Sequence, residues 1–407
     1  MLQNKSSKDN FINIDNITSK TTIKDWLAVL SLALGSFSTV TAEFIPVGIL
    51  PEVSNTFQIS SGTAGLMMTI PGLLAAISGL SIPILSRNMD RKKILVFLTL
   101  ILLASCFLAF WAPNFTIILV SRAMVGVSLG AFWAMSLMVA GRLVSVENVN
   151  KATALVFAGV TTAMIFGVPL GTFIGEMFSW REAFLATGAI SFLALLTQLF
   201  FLPNIAPREA LKVSSLLNIL KKKQVLISLL MITLMFMVHF GTYTYLKPLL
   251  EKRGLTSEYI TLLLLGFGVA GFVSNFVASY FLNKNVKATL AVSMIVLIIP
   301  LLFLPLSFNT NEEVFVLVLI WGIAWGALPL CLNVWNRNTS PDNIEPISAL
   351  FTFTTQVAIS IGSAVGGLLV DMFNVEKDYL IGGIVVFVGL FILLIQRTQR
   401  KSLYITS

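Results

Sequence analysis

The chain has 407 residues, of which 56% are hydrophobic and only 11% are charged. Soluble proteins carry about 25% charged residues, so this composition excludes a fully water-solvated surface and describes an integral membrane protein. The net charge of +8 predicts a basic rim against membrane lipid rather than a nucleic-acid partner.

Residues 1–25 are polar and rich in Asn, Lys and Ser. They lack the apolar core and small-residue cleavage site of a signal peptide, so they read as an N-terminal tail. A spanning helix needs roughly 20 mainly apolar residues. Such runs fall at 26–50, 62–85, 94–112, 115–140, 152–176 and 182–202, here spans 1 to 6. A polar, basic interval follows at 203–224, with "KKK" at 221–223, and reads as a linker. Spans 7 to 12 follow at 225–249, 259–281, 288–307, 313–336, 346–371 and 379–396, and 397–407 is a short tail. The expected fold is all-α, with about twelve transmembrane helices in two six-helix bundles over 26–202 and 225–396.

Positive loops stay in the cytoplasm. With both termini inside, the inner segments hold Lys5, Lys24, Arg87, Arg91, Lys92, Lys93, Arg142, Lys151, Arg208, Lys212, Lys221, Lys222, Lys223, Lys284, Lys287 and Arg337, among others. The outer loops hold only Arg181, Lys252, Arg253 and Lys377. This asymmetry predicts an inner-membrane protein with cytoplasmic termini. The halves also repeat weakly. "SRNMDRKK" at 86–93 after span 2 corresponds to "LNKNVK" at 282–287 after span 8, and "GVPLG" at 167–171 to "GSAVGG" at 362–367. Paired halves around a midplane site are common in secondary transporters.

Charged groups inside spans are costly and mark function by default. Glu43 lies seven residues before Leu50, about 10 Å below the outer end at 1.5 Å per residue. Arg122 lies seven residues after Phe115, at similar depth. Glu43 is either a structural partner of Arg122 or a proton carrier, and Arg122 needs an acceptor, for which Glu43 is the nearest candidate. Pro46 removes a hydrogen bond to the carbonyl of Ala42. In span 4, Gly126 and Gly130 suit close helix packing, and Trp133 follows on nearly the same face. In span 7, His239, Tyr243 and Lys247 recur every four residues and predict one wet stripe; Lys247, near the outer mouth, either belongs to it or snorkels, and His239 is a packing, binding or proton-relay residue. Trp325, Asn333 and Asn336 in span 10, with Gln356 in span 11, offer flat surfaces and paired donors and acceptors. They suit a planar heterocycle or a sugar ring.

Four stretches resemble the major facilitator superfamily, in its twelve-span drug:proton antiporter branch. They are "TAEFIPVGILP" at 41–51, "SRAMVGVSLGAFWAM" at 121–135, "GVPLGTFIG" at 167–175 and "WREAF" at 180–184. Within the branch, "GAFWAMSLMVAGRLV" and "TYLKPLL" are most similar to purine ribonucleoside and sugar efflux pumps. The resemblance implies two pseudo-symmetric bundles, outward transport in exchange for protons, and a helix bend at Gly167, Pro169 and Gly171 that seals the cavity. It also implies a gating role for the loop after span 2, carried here by Asp90 and Arg91. That loop departs from the family pattern, since Arg87 occupies the usual Asp position and Asp90 the usual Gly position.

The expected function is proton-coupled export of a small polar organic molecule by a monomer. A broad drug exporter, an importer and a non-transporting sensor are the alternatives. There is no phosphate loop. Cys106, Cys331 and His239 make no metal-ligand spacing, so no enzyme chemistry, metal or cofactor is expected.

Overall fold

The computed structural model describes residues 21–86, 88–206, 213–306 and 310–396. Arg87, Arg208, Lys212, Asn309 and the segments 1–20 and 397–407 lie outside the described residues, and with them most of both expected tails and part of the linker. Among the described residues every regular element is a helix. Twelve helices are long and apolar enough to cross a membrane. Spans 1 to 6 are Ile23–Phe57, Ser61–Leu85, Arg91–Phe110, Phe115–Leu143, Val146–Met177 and Trp180–Phe201. Spans 7 to 12 are Lys223–Lys252, Ser257–Leu282, Val286–Phe303, Asn311–Asn338, Pro346–Met372 and Val375–Ile395.

Local chemistry sets many of these starts. A helix leaves its first N–H groups unpaired, and hydrocarbon offers them no water. Thr22 and Asp25 close a capping box at span 1. Side chains of Asn114, Ser179, Thr256, Asn285, Thr310 and Asn374 cap spans 4, 6, 8, 9, 10 and 12. Spans 2 and 7 are interrupted, at Gly65 and at Thr244–Tyr245, near the end of the molecule opposite Thr21 and Gln396, the outermost described residues. We call this the distal end and the other the terminal end.

Spans 1 to 6 pack on one another, and spans 7 to 12 do likewise. The two halves use the same devices. Span 4 crosses span 2 at glycines, and span 10 crosses span 8 at glycines. A Cβ on Gly79 would stand 3.2 Å from the carbonyl oxygen of Gly130, and one on Gly271 would stand 3.2 Å from that of Gly322. Ser78 donates to the Gly126 carbonyl at 3.2 Å, and Asn275 to the Gly326 carbonyl at 3.1 Å. Between helices in lipid, association rests on such close backbone approach because apolar burial offers little drive. The expectation that Gly126 and Gly130 serve packing agrees with this geometry. The halves meet along two seams, span 2 against span 11 and span 5 against span 8. In the first, Gly72 faces the backbone of Gln356, with only 2.9 Å between a would-be Cβ and that carbonyl oxygen.

Gly322→Val places a branched side chain within 3.0 Å of the Phe267 Cα. Overpacking of this kind costs about 1–3 kcal/mol. We expect a lower thermal midpoint in detergent, read by loss of the monodisperse chromatographic peak on heating. An unchanged midpoint would contradict a tight span 8–span 10 crossing.

Candidate functional site

Two buried charged side chains of the first half lie beside the seam. Arg122 is fully buried and Glu43 is 3% exposed. The guanidinium does not bond the Glu43 carboxylate, the acceptor expected from sequence. It donates to three backbone carbonyls: Nε to Met67 at 2.9 Å, Nη1 to Ala42 at 2.6 Å and Nη2 to Glu43 at 2.9 Å. Two of these oxygens are available for a local reason. The helical donors to Ala42 and Met67 would be residues 46 and 71, and both are proline, which has no N–H. Pro46 and Pro71 lie inside their helices. Arg122 therefore fills two gaps in the ladders of spans 1 and 2, and its planar fork reaches all three oxygens at once.

The Glu43 side chain turns to the opposite half. Its Oε1 accepts from Nε2 of Gln356 in span 11 at 3.4 Å. Gln356 Oε1 is buried without a partner. Nearby, Ser360 donates to the Thr69 carbonyl at 2.6 Å, and Phe44 stacks on Phe240 across the seam with centroids 5.4 Å apart.

Span 7 holds the second cluster. His239 and Tyr243 stack on each other as the spacing predicts, but they are packed, not wet, and Lys247 leaves their face because the helix is interrupted at Thr244–Tyr245. His239 lies 3.4 Å from Trp325, nearly parallel, and Tyr243 stacks near its centroid at 5.1 Å. The Trp321 indole donates to His239 Nδ1 at 3.2 Å. An indole N–H only donates, so Nδ1 presents its lone pair. Phe236 and Phe240 meet Trp325 edge-on at 5.0 and 5.6 Å, and Phe240 links this stack to Phe44 and the Glu43 region. Lys247 is fully buried and does not snorkel. It bonds Glu52 and the Gly48 carbonyl of span 1, with Glu251 at 3.7 Å.

The other named residues lie apart. Trp133 is half-buried in span 4, against Phe157 at 5.8 Å. Asn333 is half-buried toward the terminal end of span 10. Asn336 is buried as a brace: it accepts from Ser228 at 3.0 Å and donates to the Ile347 carbonyl at 3.1 Å. Asp90 accepts from the backbone of Lys92 and of Ile205, at 2.8 and 3.0 Å, and Arg91 reaches Ser86. Gly167 and Gly171 face Thr41 and Ile45 of span 1. They tighten packing inside the first half, while Ile165 meets Gly268 of the second.

The distal end is clasped by residues the sequence reading did not single out. Asp371 of span 11 accepts from Ser60 Oγ at 2.6 Å and from the Gly62 N–H at 2.9 Å. It thereby caps the short helix that opens span 2. An acid at the last turn of a span was the available signal. Together with the Lys247–Glu52 pair, Asp371 ties the halves at the distal end.

Two six-helix halves, held at one end and meeting over a buried ionisable group, define a membrane transporter. The model of the Major Facilitator Superfamily matches residues 32–360, and the chain belongs to that family. It is an integral multi-pass transporter of small molecules and not an enzyme. It is 30% identical over 360 residues to the purine ribonucleoside efflux pump NepI of Salmonella typhimurium strain LT2, covering 88% of this chain and 91% of that one. The Salmonella enteritidis PT4 protein of the same name matches equally, at 30% over 360 residues. Among solved structures, nucleoside transporter NupG superposes with a TM-score of 0.75 at 13% identity, over 92% of this chain and 99% of that chain. A bacterial homolog of the human lysosomal transporter Spinster, inward-facing and unoccupied, gives 0.68 at 16% identity, over 92% and 95%. These two likenesses concern the fold.

Arg122→Lys keeps the charge but not the fork. A single ammonium cannot hold the three carbonyls, and each buried polar group left unmade costs about 1–3 kcal/mol. We expect a marked fall in thermal midpoint, measured on purified protein. A midpoint equal to that of the wild type would show that the fork is dispensable.

Proposed function

We propose that this transporter exports a small polar organic solute, with purine ribonucleosides the favoured class, in exchange for protons. The observation that carries the reading is Glu43, a buried carboxylate whose one side-chain hydrogen bond among the described residues comes from the opposite half. The 30% identity to purine ribonucleoside efflux pumps supports the solute class. The aromatic layer of Trp325, His239 and Tyr243 suits a planar base, and the polar atoms of Gln356 and Asn333 suit ring nitrogens and hydroxyls. Trp133 is assigned a lesser contact on the terminal side, and Gly167, Pro169, Gly171, Asp90 and Arg91 positions that change as the halves rock; Asn336, committed to Ser228 and Ile347, is a brace and not a contact. The bundles 26–202 and 225–396 move as bodies joined by the linker 203–224.

Burial disfavours the charged form of a carboxylate, and a nearby guanidinium favours it. When the distal end opens, water reaches Glu43 and the carboxylate takes an outside proton. Closure of that end restores the contact with Gln356, and the proton leaves toward the terminal end while solute is carried outward. A proton biases the two arrangements only through unequal affinity for them, and an environment that alternates supplies that difference. Arg122 stays with its carbonyls and acts as a fixed positive charge.

The chain works as a monomer in the inner membrane, surrounded by lipid and with both termini in the cytoplasm. Lysines at the terminal end, including Lys92, Lys93, Lys151 and Lys284, support that orientation. Single cysteines at Asn204 and Asn55 should label with an impermeant maleimide from opposite sides, with Asn55 reactive in intact cells. Outside labelling at Asn204 would reverse the orientation.

Glu43→Gln keeps the shape of the side chain but cannot titrate. In proteoliposomes given inosine and adenosine, it should lose uphill transport driven by a pH gradient and keep counterflow exchange. Gln356→Ala should weaken solute binding several-fold in the same vesicles. Concentration of nucleoside by Glu43→Gln on the pH gradient alone would remove Glu43 as the coupling group and leave it a structural residue.

A further inference from the structure

Span 12 opens with a second buried acid that transport at Glu43 does not use. Asp378 is 4% exposed, and its Oδ2 is buried without a hydrogen-bond partner. It lines a narrow cavity of about 40 Å³ where spans 7, 11 and 12 meet. Gly241, Thr242, Gly362, Gly366 and Gly382 form the wall beside it. The glycines leave this wall without side chains, and the backbones of spans 7 and 11 approach closely there: a Cβ on Gly241 would stand 3.1 Å from the Gly362 carbonyl oxygen.

The neighbouring ionisable groups are already engaged. On span 12, Glu376 pairs with Lys252 at 2.8 Å and meets Arg253 at 4.0 Å, and Lys377 lies over Phe373. Tyr379 donates to the Thr242 carbonyl at 3.1 Å. On span 7, His239 accepts from Trp321, Tyr243 lies in the ring stack, Tyr245 donates to the Ser363 carbonyl at 2.9 Å, and Lys247 is held by Glu52. On span 11, Asp371 caps the helix that opens span 2. Span 9 has only Lys287, at its terminal end, where it bonds the Leu394 carbonyl. Among the described residues no ion pair includes Asp378.

An ionised carboxylate in such a place is strongly disfavoured unless something compensates it. A hard metal cation asks for about six oxygens. This pocket offers the carboxylate and Thr242 Oγ1, whose own hydrogen goes to the Val238 carbonyl at 2.9 Å. A proton needs one oxygen. We propose that Asp378 is a proton-binding site in its own right, lodged in the second half and separate from Glu43. A hydronium ion gives its proton to the carboxylate and leaves as water; one O–H bond forms at the carboxyl and one breaks, with no change of oxidation state.

The site is coupled to the seam through span 11. That helix walls the Asp378 pocket and also carries Gln356, Ser360 and Asp371, which touch the first half. Parting the halves releases the last turn of this helix from Ser60 and Gly62, and that local release, not a repacking of the second half, changes the hydration of the pocket between the two arrangements. A proton bound there with unequal affinity then biases their balance.

The test needs no solute and does not depend on Glu43 being the coupling group. Purified full-length protein is studied by infrared spectroscopy at about pH 6, where exposed carboxyls are ionised. The carbonyl stretch of a protonated carboxyl then reports buried acids, and ¹³C-labelled aspartate assigns it. Glu43→Gln should keep an aspartate band, and Glu43→Gln with Asp378→Asn should lose it. Asp378→Glu should retain a protonated carboxyl that no longer shifts with labelled aspartate, which carries the test if the asparagine variant does not fold. An aspartate band that is absent in Glu43→Gln, or that survives replacement of Asp378, overturns the proposal.

Discussion

The organisation of the first half depends on one set of hydrogen bonds, those from Arg122 to the carbonyls of Met67, Ala42 and Glu43. A buried guanidinium is costly without acceptors, and a carbonyl stripped of its helical donor is costly in hydrocarbon. Pro46 and Pro71 create two such carbonyls in different helices, and Arg122 answers both. Charge-assisted bonds of this type are stronger than neutral ones. They tie spans 1, 2 and 4 together at one depth. Because the guanidinium is committed to backbone, the Glu43 carboxylate remains available to the other half.

That division of labour recurs across the molecule. Inside each half, helices meet at glycine crossings where backbone approaches backbone, as at Gly79–Gly130 and Gly271–Gly322. Such contacts are rigid, because packed interiors do not deform continuously. Between the halves, glycines again let backbones approach, at Gly72–Gln356 and Gly268–Ile165, and among the described residues side-chain hydrogen bonds, an ion pair and a pair of stacked rings join them: Gln356–Glu43, Asp371–Gly62, Lys247–Glu52 and Phe44–Phe240. Water can replace the hydrogen bonds and the ion pair, which suits the rocking about a midplane proposed above.

The second half places its polar atoms differently. His239 is built into a stack with Trp325 and Tyr243, and its Nδ1 is occupied by the Trp321 indole. Aromatic pairs add stabilisation beyond their burial, so the face toward the seam is a stiff wall. Gln356 departs from this pattern, with one amide atom on Glu43 and the other unpartnered. A rigid aromatic wall beside an unsatisfied amide has the makings of a selective surface, since an unmet polar atom rewards a matching ligand and penalises a mismatched one.

The amino-acid sequence by itself determined the membrane setting, the count of spans, the paired halves and the family, because roughly 20 apolar residues per crossing is a constraint visible in one dimension. Helical rise also placed Glu43 and Arg122 at one depth, and the missing N–H of Pro46 pointed to a freed carbonyl at Ala42. Tertiary structure alone decided what fills each vacancy. Helical spacing predicts that His239, Tyr243 and Lys247 share a face, but not that Trp325 will cover the first two or that the break at Thr244–Tyr245 will turn Lys247 to Glu52 of span 1. It says that Arg122 needs acceptors, but not that Met67, 55 residues away, will provide one. Gln356 stands 313 residues from Glu43, and no local pattern brings them together. Partner choice in a low-dielectric interior is set by which unsatisfied groups the packing of distant helices brings within about 3 Å of each other, and that is a property of the assembled bundle.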